Sequence, residues 1–413
     1  MSSPRPLLFL CQVLPYPLDA GPKVRAYHML RALAARGPVT LVCFRRADDP
    51  PAALEHLRGI CEVVTVPLRR SSLRDAWHLA LALLSGESFI IRRDARAAMH
   101  RTLADLCRRQ AFAAVHADQL WMAAYARRLP IPLKVLDQHN AVYRVFQRLA
   151  AGERNPLKRW LWRREAVRLA AYETAQAAAF DHSFFVSRED LGAIAAVAPP
   201  AARRLLETRS SVLPICVDSA AIAPIAPAAG ADRVSFLGTL FWPPNAEGAL
   251  WFAEQVWPRV LDSCPTARLT LIGKKPPAAL LAWGERFGPS VEITGYVADP
   301  RPLLAQTAAF IVPLLSGGGM RVKILDAWAW GLPVVSTPIG AEGIDARPGQ
   351  DILIAEDPAA FAEHVVQLLA DPARRAALGA AGRRAVEARY DRRLLDAALA
   401  RVYGPALGWD AGG

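Results

Sequence analysis

The chain has 413 residues, 53% of them apolar, which is enough for two cores because single cores stop growing near roughly 250–300 residues. Its six cysteines show no Cys-x-x-Cys pairing, so neither a zinc site nor a disulfide framework is indicated and a reducing compartment is expected. The net charge of +12 lies in the first half, where residues 1–200 hold 29 Lys and Arg against 17 Asp and Glu while 201–413 hold 21 of each, and no aromatic-basic module points to nucleic acid.

A field of that sign suits anionic phospholipid head groups or a pyrophosphate-linked acceptor, with plain solubility of an arginine-rich chain as the alternative. The apolar run Pro6-Leu-Leu-Phe-Leu-Cys-Gln-Val-Leu14 reads as a buried strand, because prolines at 15, 17 and 22 and the lack of a small-residue cleavage pattern argue against a secretion signal. No stretch reaches the ~18 uninterrupted apolar residues of a spanning helix, so a cytoplasmic protein, at most peripheral on the inner face of the membrane, is expected. Further strand-like runs at 39–44, 63–68, 113–117 and 133–138 alternate with helical patterns, which predicts right-handed βαβ units and a parallel sheet binding ligands at its carboxyl end. Gly21-Pro22 fits a helix start, with Lys23 and Arg25 placing positive charge there. No G-x-G-x-x-G follows the first strand, so this is not a dinucleotide fingerprint. Leu136-Asp-Gln-His-Asn140 puts His139 and Asn140 at the carboxyl end of the fifth strand.

The segment 153–165 carries basic residues with Trp160 and Trp162 at helical spacing. It is either a helix lying in a membrane interface or a solvated one with both tryptophans packed on the domain. The run from His182 looks like the last strand of the first domain, leading to a helix with Ser187 as cap and Asp190 at the capping-box spacing. From Pro199-Pro200 the texture changes, and between 211–218 and 220–231 the chain reads as linker.

A second α/β pattern begins with Val234-Ser-Phe-Leu-Gly238 and the loop Thr239 to Asn245, followed by strands ending at Gly273-Lys-Lys275 and Gly295-Tyr-Val297. An apolar run at 308–315 then delivers Ser316-Gly-Gly-Gly-Met-Arg-Val-Lys-Ile-Leu-Asp326. A helix starting near Met320 would present backbone N–H groups to an anion. Arg321 and Lys323 stand in its first turn, where fixed cations oppose the macrodipole and a bound polyanion removes the conflict. Asp326, further round the helix, suits a neutral hydroxyl whose proton it can accept. The plain alternative is an ordinary loop whose glycines serve packing and whose cations are solvated.

This segment resembles the donor-site signature of retaining glycosyltransferases with the GT-B fold, the family-4 group that elongates bacterial polysaccharides and glycolipids. The resemblance implies an α/β GT-B fold, two Rossmann-like domains facing each other across a cleft. Residues 1–205 would form the acceptor side, 206–390 the nucleotide-sugar donor domain, and 391–413 a tail returning to the first domain. In that family two Glu residues bracket the loop, one near the donor sugar and one on the ribose hydroxyls. Here those positions are Gly318 and Asp326, the latter with a reach shorter by roughly 1.5 Å. Backbone N–H groups of Gly317, Gly318 and Gly319, beside Ser316, are left to contact the sugar.

The same resemblance assigns donor contacts to Gly21, Arg25, Gly238, Thr239, Asn245, Gly273, Tyr296 and Val297. It gives His139 a place near donor sugar and acceptor, in positioning or proton transfer. The loop 239–245 lacks the Arg and Lys that many relatives use on the diphosphate, so Arg321 and Lys323 are expected to stabilise the leaving group without a metal or any cofactor beyond the nucleotide-sugar co-substrate. The expected reaction is sugar transfer, with retention, to a glycan or lipid-linked acceptor. A nucleotide-sugar epimerase on the same fold and a catalytically silent sugar-nucleotide-binding scaffold are the alternatives.

Overall fold

A computed structural model of the chain describes residues 4–18, 21–226, 228, 230–317 and 319–409, so Gly318, one of the expected sugar contacts, lies outside the described residues. The chain divides into two units, Met1–Cys216 with Arg393–Gly413, and Val217–Arg392.

In the first unit seven strands, β1 (Leu7–Cys11), β2 (Val39–Arg45), β3 (Glu62–Pro67), β4 (Ala114–Asp118), β5 (Leu133–Gln138), β6 (His182–Phe185) and β7 (Ser210–Val212), form a parallel sheet in the order β3-β2-β1-β4-β5-β6-β7. Every residue of β1 is buried, as a strand covered on both faces requires. One face packs Leu8, Leu10, Val115 and Leu136 against intervening helices. The other packs Leu7, Phe9 and Leu41 against Leu395, Leu399 and Tyr403 of the helix Arg392–Leu407, so the end of the chain supplies part of this core.

The boundary expected after residue 205 falls inside the helix Pro200–Arg209. The chain stays in the first unit because β7, too short for its alternation to show in the sequence, pairs with β6 at Ser183 and Ser210. The long helix Pro156–Ala179 supplies two carboxylates to the starts of other helices. Glu165 accepts from the Phe89 and Ile90 N–H groups, and Glu173 from those of Val142 and Tyr143. Ser187 caps its helix as expected, accepting from Asp190 N at 3.0 Å, and the Asp190 carboxylate accepts from the cap hydroxyl through Oδ2 at 2.7 Å and from Ala141 N through Oδ1 at 2.8 Å.

In the second unit six strands, β8 (Arg233–Leu237), β9 (Arg268–Ile272), β10 (Val291–Gly295), β11 (Thr307–Val312), β12 (Val334–Ser336) and β13 (Leu353–Ile354), are parallel in the order β10-β9-β8-β11-β12-β13. The strand order reverses between β8 and β11. At such a switch point the loops after two neighbouring strands diverge to opposite faces and leave a crevice at the carboxyl edge. The helix after β11 is Val322–Ala329. It ends in a Schellman arrangement, with Gly331 N–H on Trp328 O, Leu332 N–H on Ala327 O, and Gly331 at φ 73°.

Candidate functional site

The crevice between β8 and β11 is where Lys323 sits. The helix begins at Val322 rather than Met320, so Arg321 occupies the N-cap position, with no side-chain cap, and Lys323 the second helical position. The Lys323 ammonium donates to Asn245 Oδ1 at 2.8 Å and stands 4.3 Å above the Phe236 ring. Asn245, buried at the start of the helix Pro243–Trp251, is itself oriented by donating from Nδ2 to Thr239 O at 2.9 Å. Gly238 admits the ammonium, since a Cβ there would lie 2.8 Å from Lys323 Nζ. Gly317 has φ 109°, and the place of a Cβ on it is 3.2 Å from Arg321 Nη2, so the loop backbone lies close against the guanidinium. Ser316 Oγ donates to Glu247 Oε2 at 2.8 Å.

Burial pushes the Lys323 amine down to about 7, with Arg321 adding to the fall and Asp326 opposing it. Burial likewise pushes the Asp326 carboxyl up to about 7, against the pull of Lys323. Both groups are therefore poised near neutrality, and a phosphate beside Lys323 would restore its charge.

Of the expected donor contacts, Gly238, Thr239, Asn245, Gly317, Arg321, Lys323 and Asp326 come together around this crevice, and Gly319 continues the loop with φ 77°. Gly273 adjoins Gly238, whose N–H donates to Ile272 O at 3.0 Å. Tyr296 and Val297 follow β10 at the edge of the sheet, and Tyr296 is 74% exposed.

In the first unit the carboxyl ends of β1, β4 and β5 hold a buried charge network. Asp118 and Asp137 are register partners, with Cys11 next in line, so all three side chains face the helices Gly21–Ala34 and Arg392–Leu407. Arg25 is the correction here. Expected to reach a donor, its guanidinium is 2% exposed, grips Asp137 with Nε at 2.8 Å and Nη2 at 2.5 Å, and donates from Nη1 to Leu213 O at 2.7 Å. Gly21 opens the helix that carries Arg25.

His139, 8% exposed, places Nε2 2.9 Å from Asp118 Oδ1 and 3.5 Å from Asp137 Oδ2. Burial alone would lower the imidazole, but Asp118 and then Asp137 outweigh it and raise it to about 9. His139 is therefore a cation at neutral pH. Its Nδ1 has no hydrogen-bond partner among the described residues. The carboxylate of Asp137 is held well below its usual range: burial opposes ionisation, while Arg25 and His139 overcome it. His116 is the opposite case, pushed down to about 4 by burial and bonded through Nδ1 to Tyr403 Oη at 2.6 Å.

His116, Asp118 and Asp137 bring possible metal-ligand atoms within 4.8 Å of one another. Arg25 and His139 already balance the two carboxylates, however, and both Asp137 oxygens are taken by Arg25, so the donor set fits an internal ion network better than a cation. Sequence reasoning missed Asp118 and Asp137. The available signal was a carboxylate at the end of each of two adjacent apolar strands.

Residues 231–371 match the family described as glycosyl transferases group 1. Over 370 residues, 85% of this chain and 88% of the other, the sequence is 23% identical to an uncharacterized 44.6 kDa protein in the cps region of Klebsiella pneumoniae. Over 155 residues, 35% of this chain and 41% of the other, it is 29% identical to a GDP-mannose-dependent monoacylated alpha-(1-6)-phosphatidylinositol monomannoside mannosyltransferase of Corynebacterium glutamicum. Among solved structures, Anabaena HepE in complex with UDP and glucose superposes with a TM-score of 0.62 at 11% identity, covering 96% of this chain and 98% of that one. These likenesses show the fold, two Rossmann-like α/β domains of the GT-B kind.

Proposed function

We propose that the chain is a glycosyltransferase of the family-4 kind. It moves a hexose from a nucleotide-diphosphate sugar to a glycan or lipid-linked acceptor, with retention of configuration and without a metal. The observation that carries this reading is the Lys323 ammonium, fixed by Asn245 at the start of an uncapped helix beside a glycine loop. A leaving diphosphate there meets a cation, the positive helix end and backbone N–H groups, which stabilise charge as the glycosidic bond breaks. Asp326, on the same helix, is the carboxylate for the ribose. In the first unit His139, held as a cation by Asp118, offers Nδ1–H as a donor rather than serving as a base.

The match to glycosyl transferases group 1 over the second unit supports the class, and HepE, solved with UDP and glucose, supports the nucleotide sugar. The mannosyltransferase acting on a phosphatidylinositol glycolipid supports a lipid-linked acceptor. No helix among the described residues is long and apolar enough to cross a membrane. Contact with the lipid would then be peripheral, through the basic first unit.

The test is nucleoside diphosphate release from UDP-, GDP-, ADP- and dTDP-sugars without acceptor, in wild type and Lys323→Ala. Release from one donor, lost in the variant, is expected. A donor sugar converted while still attached to its nucleotide would make the protein an epimerase, and no reaction with any donor would make it a scaffold.

A further inference from the structure

The first unit holds a second polar centre, on the opposite face of its sheet from Arg25. Asp94, at the end of the helix Phe89–Asp94, accepts from Gln12 Nε2 at 3.1 Å and pairs with Arg70 Nη2 at 2.9 Å, so residues just past β1 and β3 converge on it. Tyr125 Oη donates to Asp94 O at 2.9 Å and accepts from Arg96 N at 2.7 Å, fixing the turn between them. Arg96 is 8% exposed, yet neither its Nε nor its Nη2 has a hydrogen-bond partner among the described residues. A guanidinium with five donors is seldom left so, because each unmatched buried donor is destabilising.

The surroundings aggravate the imbalance. Arg70 and Arg74 lie within electrostatic reach of Arg96, as do Arg74, Arg92 and Arg96 of His78. The carboxylates here are Glu87, which pairs with Arg92, Asp94, already shared by Gln12, Arg70 and Arg93, and Asp75; Arg74 and Arg96 are left in excess. Arg96 is also the N-cap of the helix Ala97–Arg109, whose first turn has neither a side-chain cap nor an acidic residue. A ligand with several anionic oxygens would satisfy the open donors, the excess guanidinium charge and the helix end together.

The helix Ser72–Ser85 that carries Arg74 and His78 tells which anion. Leu73, Trp77 and Leu84, spaced by four and seven, share a face, and they are 85%, 63% and 85% exposed. A Trp and two Leu open to solvent beside arginines is the arrangement of a helix resting in a lipid headgroup region. We infer that Arg96, with Arg70 and Arg74, forms a phosphate subsite for a lipid-linked acceptor, whose hydrocarbon stays in the bilayer under Leu73, Trp77 and Leu84. This rests on the proposed glycosyl transfer and names the acceptor's chemical class.

The test is vesicle sedimentation of the full chain on phosphatidylcholine alone, with polyprenyl phosphate, and with phosphatidylglycerol at equal charge. Wild type should favour the polyprenyl phosphate vesicles over both others. Arg96→Gln and the solvent-exposed Arg74→Gln should each lose that preference by about tenfold, the equivalent of one charge-assisted hydrogen bond. Trp77→Ser should weaken sedimentation on all three.

Equal retention of wild type on phosphatidylglycerol, or an unchanged preference in Arg74→Gln, would overturn the subsite. Arginine-dependent binding of inorganic pyrophosphate without preference for the lipid phosphate would overturn the lipid-linked source. Nucleotide-sugar binding is followed in the same preparations. If wild type binds no nucleotide sugar, the glycosyltransferase reading fails; if it does and the lipid preference is absent, only the present inference does.

Discussion

Lys323 Nζ stands 2.8 Å from Asn245 Oδ1, so the helices following β11 and β8 touch through one hydrogen bond at the point where the strand order of the second unit reverses. This contact holds a cation where the helix end is already positive. The ligand-free protein is strained electrostatically in favour of an anion.

Lys323→Met removes an unfavourably buried amine, so the ligand-free variant should melt at or above the wild-type temperature. It should also lose affinity for nucleoside diphosphates by about ten- to hundredfold, the range of a charge-assisted hydrogen bond of about 1.5–3 kcal/mol. Thermal melts and titration calorimetry with the diphosphate check both halves. A variant that binds as tightly as wild type would remove Lys323 from the site.

Binding should depend on pH with a maximum near neutrality. Lys323 is pushed down to about 7, so the fraction charged before binding falls as pH rises above that value, and affinity falls with it. Asp326 is pushed up to about 7, so the carboxylate proposed above for the ribose is lost as pH falls below it. Because the two groups interact, the limbs belong to the pair. Lys323→Met should abolish the alkaline limb and Asp326→Asn the acid one, in calorimetric affinities measured across the range.

The first unit should lose stability in alkali through His139. Its folded value near 9 exceeds its ordinary 6.5, so its contribution is fully present below 6.5 and disappears as pH climbs through 9. His116 works the other way: depressed to about 4, its contribution is lost as pH drops from 6.5 towards 4. Chemical denaturation of His139→Gln at a series of pH values should show a flattened alkaline decline and an unchanged acid one.

Arg25 and Asp137 should behave as an internal pair. Either Arg25→Met or Asp137→Asn alone leaves a buried charge without its partner and should destabilise the first unit by about 3–5 kcal/mol, and the double variant by less than the two effects combined. Denaturant titration of the three proteins gives the coupling. Additive effects would mean the pair is not coupled.

Much of the fold was legible because it is written locally. The apolar runs at 7–14, 39–44, 63–68, 113–117 and 133–138 correspond to β1 to β5, since a strand buried on both faces must be apolar along its length. The short β7 was not legible, because three residues carry no period and its place is decided by pairing with β6. Trp160 and Trp162, equivalent in the sequence, part company in the structure. Trp162 packs on Phe146 with ring centroids 5.5 Å apart, whereas Trp160 remains largely exposed.

The residue order by itself determined two parallel α/β halves and a glycine loop opening a helix with Arg321 and Lys323 at its start, because periodicity, turn chemistry and helix ends act over a few neighbours. Only the tertiary structure decided which charges answer one another. Arg25, an apparent ligand contact, is paired with Asp137 112 positions away, and His139 takes its proton from the company of Asp118. Lys323 finds Asn245 across 78 positions. Burial and long-range pairing set the charge state of a side chain, and neither is a property of its neighbours along the chain.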